Sequence, residues 1–386
     1  EKIMEQTKNN RKDILYGIAL AIILITSLIP QTAIYTRNEN ALLGIITNSI
    51  QAFGYLLCLV KIVLSRKEYS INEIVFFCVL FAVFFISGFN IKHKFFFLTA
   101  ILLISTVRAD SVSISKISLC IQSVILFVVV FLSQIGLLED KIFNPETRSR
   151  HILGFNWITV APILFFFICL LYIYIRSEKF KWYEAIVLEL INYYFYHMTN
   201  TRMTFLLCSV VIIFFTVQSL WKGFFGYLKK LNWVYFIIPI VLVIVSIVAA
   251  YFYNPDNSIF LKANSILSGR LQLGHDALHY YKFPLFGQVI IWNGFGLLND
   301  GIVDNYNYVD CSYLQIGMWY GAFVLILLIA IYMYGIYKSI KANNYWAVFV
   351  FLFVLVHSMT EPHLINVAVN AIVLLPLSDI RTIEDN

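Results

Sequence analysis

Charged residues are scarce in this sequence. Asp, Glu, Lys and Arg supply 13% of the 386 residues, about half of the roughly 25% that an ordinary soluble domain carries. Hydrophobic residues supply 60%, and mean hydropathy is +0.79. A soluble core of this length has no use for so much apolar surface, so the bilayer must be the solvent for most of the chain. Other absences narrow the chemistry. There is no P-loop, no Gly-rich dinucleotide loop after a strand and no HExxH. The aspartates form no DxD pair, which argues against a metal-dependent nucleotide-sugar transferase. Five of the six cysteines (Cys58, Cys78, Cys120, Cys169 and Cys208) fall inside apolar runs, and Cys311 lies near a polar loop. They suggest neither a disulfide framework nor a CxxC site. The first apolar run lacks a small-residue cleavage site and reads as an anchor, not a signal peptide. No internal repeat and no low-complexity tract is visible.

What is there is a series of apolar runs, about 17–25 residues each, without period-two alternation. Backbone polar groups cannot stay unpaired in hydrocarbon, so these runs are read as helices and not as strands of a barrel. Spans are expected near 14–30, 41–64, 71–89, 95–107, 117–138, 155–175, 182–199, 203–221, 233–253, 312–337, 345–359 and 363–379. The sequence therefore predicts an all-α polytopic membrane protein of about twelve helices. It forms one integral membrane domain over residues 1–386, with one long loop at 254–311. The fourth run is short, and Lys92-His93-Lys94 precedes it, so a re-entrant segment fits it as well.

Net charge is +6. In a membrane chain the excess cations report orientation and do not point to nucleic acid. With the N-terminus inside, the inside segments hold the greater part of the 28 cations, among them Lys8-Arg11-Lys12, Arg66-Lys67, Arg176-Lys179-Lys181, Lys222-Lys229-Lys230 and Lys338-Lys341. Both termini are then inside, and the loop at 254–311 is outside.

That loop is too apolar to be a disordered linker and too long to be a plain connection. Residues 266–282 read as a helix with Pro284 as its stop. At 100° per residue, Leu273, Gly274, Ala277, Leu278 and Tyr281 share one face and Gln272, His275, Asp276 and His279 the other. Arg270 falls on the apolar face. It either pairs with a carboxylate or snorkels, or it binds a phosphate bidentately. Arg202 sits in the tight turn Thr199-Asn200-Thr201-Arg202 between two apolar runs. A charge buried in a span costs roughly 2.5–3.5 kcal/mol, so Arg202 either snorkels or has a function. Arg148 and Arg150, with His151, read from the residues alone as outer-flank cations. Asp310 closes the long loop, either as a span-flanking cap or as a general base raised by apolar surroundings. Glu361 and His363 form a similar outer cluster. Glu189, Asn192 and His197 either line a cavity or join helices. His275 and His279 lack a third ligand and read as a polar helix face, not a zinc site.

In this order, the features resemble the bacterial polysaccharide polymerases of the Wzy type, in the superfamily of O-antigen and capsule polymerases and O-antigen ligases. Three stretches carry the resemblance: Arg150-His151-Ile152-Leu153-Gly154-Phe155-Asn156; Thr201-Arg202; and Ser268-Gly269-Arg270-Leu271 with Pro284-Leu285-Phe286-Gly287, closing on Asp310-Cys311-Ser312-Tyr313-Leu314 and Tyr320-Gly321. Ligases show His-Asn before the Tyr-Leu pair, where this chain has Asp310-Cys311. The departure argues for a polymerase.

The resemblance implies a GT-C-like membrane glycosyltransferase fold in the bacterial cytoplasmic membrane. It implies metal-independent joining of undecaprenyl-diphosphate-linked oligosaccharide repeat units at the outer face, with no cofactor. The partners it implies are that lipid-linked substrate, membrane lipid, a chain-length regulator and a flippase. Arg202 and Arg270 would stabilise the leaving diphosphate, with Arg150 helping. Asp310 is the first candidate for the base, ahead of Glu361 and His279. Arg150, His279, Tyr281, Tyr313, Glu361 and His363 are expected to touch substrate. Tyr280, Tyr281, Trp292, Tyr306 and Tyr308 suit either sugar stacking or loop packing. A ligase-type glycan transferase and a lipid-linked oligosaccharide flippase are the competing readings. A transporter usually shows internal repeats and broken midplane helices; no such repeat is seen here, and a flippase does not need a structured outer loop of this size.

Overall fold

A computed structural model describes residues 2–37, 41–143, 149–297 and 303–382, and the side chains of 2–11, 36–37 and 41 are outside the description. Arg148 therefore lies outside the described residues, as do the side chains of Lys8 and Arg11.

Apolar runs become helices wherever they are long and free of breakers. The first half of the chain folds as α1 (Lys2–Leu28), α2 (Ala33–Arg37), α3 (Ala41–Leu64), α4 (Ile71–Asn90), α5 (Phe97–Ser105) and α6 (Ser111–Gln134). The two-residue strands β1 (Ile142–Phe143) and β2 (Arg150–His151) then pair antiparallel. Next come α7 (Val160–Arg176), α8 (Trp182–Thr199), α9 (Arg202–Leu220), α10 (Phe224–Leu228) and α11 (Asn232–Tyr251). The long loop contains α12 (Ser258–Ile266) and α13 (Arg270–Tyr281), and it is followed by α14 (Ser312–Trp319), α15 (Ala322–Lys341) and α16 (Tyr345–His357).

Among the described residues, eight helices are long and apolar enough to cross a membrane: Lys12–Gln31, Leu42–Leu64, Ile71–Asn90, Ser111–Gln134, Val160–Lys179, Arg202–Leu220, Phe224–Tyr251 and Ala322–Lys341. This is the architecture of an all-α polytopic membrane protein. α11 shows the bilayer signature: Ile237, Ile240, Ile244 and Val248, at helical spacing, are each more than 40% exposed. An apolar stripe of that extent on a soluble surface would be an aggregation site.

The four other expected spans differ in physical detail. α5 is nine residues long and almost wholly buried, and at 1.5 Å per residue it is too short to cross. α8 has the length, but Glu184 and Glu189 dilute its apolarity. α16 has thirteen residues and is buried on nearly every side. Residues 363–379 were expected to be a helix and are not one. They are buried turns ending in a 3-10 segment, Ala371–Leu377. Polar Asn366 and Asn370 and the donor-less Pro376 interrupt the run. Asn370 turns its amide inward to donate to Leu364 O at 3.0 Å.

The loop helix starts later than its periodicity suggests. Ser268 and Gly269 take positive φ (55° and 86°), which separates α12 from α13. The wheel otherwise holds: Gly274, Ala277 and Leu278 are buried, while Gln272, Asp276 and His279 are exposed. After α13 the chain is clasped to the start of α15. Ala322 N donates to Pro284 O, Phe323 N to Leu285 O and Gln288 N to Trp319 O. Two glycines make this crossing possible. A Cβ at Gly287 (φ 82°) would lie 2.5 Å from Trp319 O, and one at Gly321 (φ 104°) would lie 2.6 Å from Leu285 O.

α7 and α16 run through the core; Val160 at the start of α7, and Glu361 in the turn after α16, line the cavity described below. A charge network gathers at the other end of the bundle. Lys12 pairs with Glu68, Arg108 with Glu73 (2.9 Å) and Arg381 with Asp110 (2.6 Å). Buried Lys61 donates to Val107 O and Lys338 to Ser378 O. Pairing of this kind is what allows charge to be withdrawn from water.

Candidate functional site

Tight turns deliver three arginines to one place. Asn200 adopts the left-handed conformation (φ 50°, ψ 39°) between α8 and α9, so Arg202 becomes the first residue of α9. Ser268 and Gly269 do the same for Arg270, the first residue of α13. Arg150 is delivered by the strand pair. Asp140 fixes that pair, accepting from Leu153 N at 2.9 Å and lying 2.6 Å from His151 Nδ1. The guanidinium of Arg150 donates to Thr199 O at 2.9 Å, tying β2 to the turn that carries Arg202.

These turns surround a cavity of about 410 Å³, within the roughly 300–1,000 Å³ of small-molecule sites. Arg150, Arg202, Arg270, Asp310, Glu361 and His363 all line it. The sequence singles out all six, from five separate stretches. Trp157, Phe295, Tyr306 and Tyr308 line it as well. Trp157 stacks on Phe295 (5.5 Å, 15°), and Phe295 leans on Tyr306 (4.6 Å). Trp157 and Phe295 are not reached from the sequence; the signal it holds for Trp157 is that this residue follows the Leu153-Gly154-Phe155-Asn156 stretch.

The arginines differ in their surroundings. Arg270 is enclosed. Its Nε lies 3.1 Å from Asp310 Oδ2 and donates to Thr360 O at 2.9 Å, and its Nη2 donates to Glu361 Oε1 at 2.9 Å. Of the two sequence readings for Arg270, the free protein shows the carboxylate-paired one. Burial works against its charge, but Glu361 and Asp310 outweigh burial and hold the guanidinium firmly protonated. Arg202 is exposed, and none of the ion pairs seen among the described residues involves it. It stands on the first turn of a 19-residue helix whose N-cap, Thr201, makes no side-chain capping bond. Such a turn adds partial positive charge and open N–H groups to the guanidinium. By contrast, the first turn of α13 is capped, because Asn264 Oδ1 accepts from Gln272 N at 3.0 Å.

The two carboxyls share one guanidinium in a low-dielectric pocket, and burial disfavours their charged forms. Glu361 is 3% exposed. Burial pushes its carboxyl up to about 8; Arg270 opposes the rise and the charge on Asp310 adds to it. Asp310 is also raised by burial, against the pull of Arg270. The proton of this cluster therefore sits most readily on Glu361, while Asp310 pairs with Arg270. Ser312 explains part of the Asp310-Cys311-Ser312 stretch: its hydroxyl donates to Glu361 O at 2.6 Å and accepts from Leu364 N. It thereby fixes the turn that presents Glu361.

Three expected substrate contacts lie elsewhere. His279 is exposed, bonds to His275 O (2.9 Å) and stacks on Tyr251. The Tyr281 hydroxyl accepts from Asn307 Nδ2 at 3.1 Å. Tyr313 is fully buried and donates to Leu355 O at 2.5 Å. None of the three borders the cavity; each faces a neighbouring segment that the wheel and the sequence order do not reveal. Of the loop aromatics, Tyr306 and Tyr308 line the cavity, while Tyr280 is 80% exposed and Trp292 packs against Tyr308 and Trp319. Glu189 and Asn192 join helices: Ser209 Oγ donates to Glu189 Oε1 at 2.6 Å, and Asn192 Nδ2 donates to Phe205 O and Ser209 Oγ. His197, from the same span, stacks on Tyr193. His275 bonds to Ala250 O. Among the described residues no group of three His, Cys, Asp or Glu side chains is placed to hold a metal. No protein family, curated protein or solved structure matches this chain.

Proposed function

We propose that this protein is a polysaccharide polymerase. It joins undecaprenyl-diphosphate-linked oligosaccharide repeat units by glycosyl transfer at the outer face of the bacterial cytoplasmic membrane. On this reading the long apolar helices lie in the membrane in a GT-C-like arrangement with both termini in the cytoplasm. One observation carries the reading. A cavity at one end of the helix bundle unites Arg202, which makes no ion pair among the described residues, with an Arg270–Asp310–Glu361 cluster and an aromatic wall. Cations suit a diphosphate, a carboxylate suits a sugar hydroxyl, and aromatic faces suit pyranose rings.

The acceptor hydroxyl oxygen attacks the anomeric carbon of the donor glycan. Its proton passes to Asp310, the carboxyl held by the Nε of Arg270. The bond from the anomeric carbon to the diphosphate oxygen breaks, and the diphosphate leaves with the electron pair. Arg202 and the open first turn of α9 meet the charge that develops there. Arg150 supports Arg202 through Thr199. Arg270 does not face the leaving group alone: it holds Asp310 and Glu361 in position, while burial and the charge on Asp310 favour the proton on Glu361.

The test is reconstitution. Purified protein in vesicles is given a lipid-linked repeat unit, and the products are resolved by gel. A ladder with wild type, lost in Asp310→Asn and in Arg202→Ala, is expected. Absence of a ladder from every lipid-linked glycan offered would sink the enzyme class.

A further inference from the structure

A second hollow, of about 450 Å³, adjoins the polar cavity. Met203 and Arg270 border both. Apart from those shared residues its character is apolar. Leu206 and Val210 of α9 form one wall, Val245 and Ala249 of α11 the other, and Val356 of α16 lies between them. Ser246 also faces the groove, but its hydroxyl is spent on Leu242 O at 2.8 Å. The outer lip is open: Leu206, Val210 and Val245 are each about half exposed, on two helices apolar enough to lie in a bilayer. The inner end is closed by Ala250 and Leu314, which are 1% and 3% exposed. The groove therefore leads from the bilayer-facing surface to the point where Arg202 stands, one residue before Met203.

A hydrocarbon chain gains little by leaving lipid for such a groove, because lipid tails are as apolar as leucine. What the groove can supply is position. A chain laid in it brings its own head group under Arg202, and a water-soluble ligand would have no use for it. We infer that the groove between α9 and α11 holds the head-proximal stretch of the hydrocarbon chain of an anionic lipid whose diphosphate lies against Arg202. The lipid arrives and departs sideways from the bilayer, not through the polar mouth. The inference rests on the proposed polymerase reading for the identity of the head group, and it adds the path of the chain.

Two photoreactive lipids test it in vesicles containing the full-length protein. Both carry the same diazirine near the head end of the same prenyl chain; one head is diphosphate and the other phosphocholine. After irradiation, labelled peptides are mapped by mass spectrometry. The diphosphate probe is expected to label the segments around Leu206–Val210 and Val245–Ala249 about tenfold more than the phosphocholine probe, the ratio that one charge-assisted contact at the head supplies. Arg202→Ala is expected to erase that preference, and Ala249→Trp, which fills the groove, to erase the labelling. Equal labelling by the two probes would mean that the groove takes bulk lipid, and the inference would fall. Labelling concentrated on the outward α11 residues Ile237 and Ile244 would overturn it as well. If Ala249→Trp does not fold, the comparison of the two probes on wild type still decides. Preferential groove labelling in a protein that yields no glycan ladder would retain the lipid path and remove the polymerase.

Discussion

Raising the pH through the ionisation of Glu361 is expected to weaken anion binding to the cavity, and Glu361→Gln is expected to abolish that dependence. Below about pH 8 the Glu361 carboxyl is neutral. The charged groups facing the cavity are then the three arginines and Asp310. The other titratable neighbours stay uncharged through this range. Burial pushes the Tyr306 and Tyr308 phenols up and the His363 imidazole down to about 4. Above about pH 8 a second carboxylate appears, and it repels an anion. With roughly 8 Å between that carboxylate and the anion, and an effective dielectric of about 20, the repulsion is about 2 kcal/mol for each unit of anion charge. That corresponds to about thirtyfold in affinity, and salt reduces it. The sign follows from a carboxyl raised above its ordinary value: the favourable neutral form exists below the folded pKa and is lost as pH rises through it. The assay is calorimetric titration with a diphosphate diester, whose own charge is constant over the range. Wild-type affinity should be flat to about pH 7 and fall beyond it. Glu361→Gln keeps an acceptor for Arg270 and should stay flat throughout. An equal alkaline fall in Glu361→Gln, or an affinity that rises with pH, would refute the assignment of the proton.

Arg202→Lys should retain activity within about tenfold, because a point charge at an exposed position can be replaced by another, whereas Arg270→Lys should lose 100-fold or more, because its fork serves Asp310, Glu361 and Thr360 O at once; turnover of lipid-linked repeat units compares the two. Arg202→Ala should lower activity by about 10²–10³ while leaving the melting temperature near that of wild type, since Arg202 is exposed and makes no ion pair among the described residues; a large thermal shift would contradict that reading. Asp140→Ala should cost about 1–3 kcal/mol by stranding Leu153 N and His151, and should raise KM more than it lowers kcat because β2 then holds Arg150 loosely. Gly321→Ala should cost about 3 kcal/mol or more, from a clash with Leu285 O on top of an unfavourable φ, and detergent-resistant folded protein on size-exclusion chromatography measures it. His279→Ala should leave activity unchanged, since the exposed ring bonds only within α13 and stacks on Tyr251.

The membrane class was legible because it depends on composition and run length, which are properties of the chain alone. The face of α13 was legible for the same reason: a 3.6-residue period acts within one helix. The convergence of Arg150, Arg202, Arg270, Asp310, Glu361 and His363 could be anticipated only as a set of groups on one side of the expected topology. Their partners could not. Arg270 reaches Glu361 across 91 residues of sequence and Asp310 across 40, and nothing local encodes either pairing. The misplaced residues fail in the same way. His279, Tyr281 and Tyr313 are on suitable types of segment, but the neighbour that each meets is set by tertiary packing. The run at 363–379 is the remaining lesson: its apolarity is real, yet burial inside protein produces the same composition as burial in lipid, and the asparagines and Pro376 mark the difference.

Arg202 and Arg270 occupy equivalent places, each the first residue of its helix, and their different surroundings suit a site that must release what it binds. Three unopposed guanidiniums would hold a diphosphate strongly before and after transfer alike. Such uniform binding does not raise turnover. Balancing Arg270 with Asp310 removes one cation from that contest and leaves a carboxylate in a fixed position. The protonated Glu361 keeps the balance at one negative charge and not two. On the proposed reading, the leaving diphosphate therefore meets Arg202 and the open turn of α9, with Arg150 behind them. The acceptor hydroxyl meets a base whose direction is set by a guanidinium that it does not have to share with the leaving group.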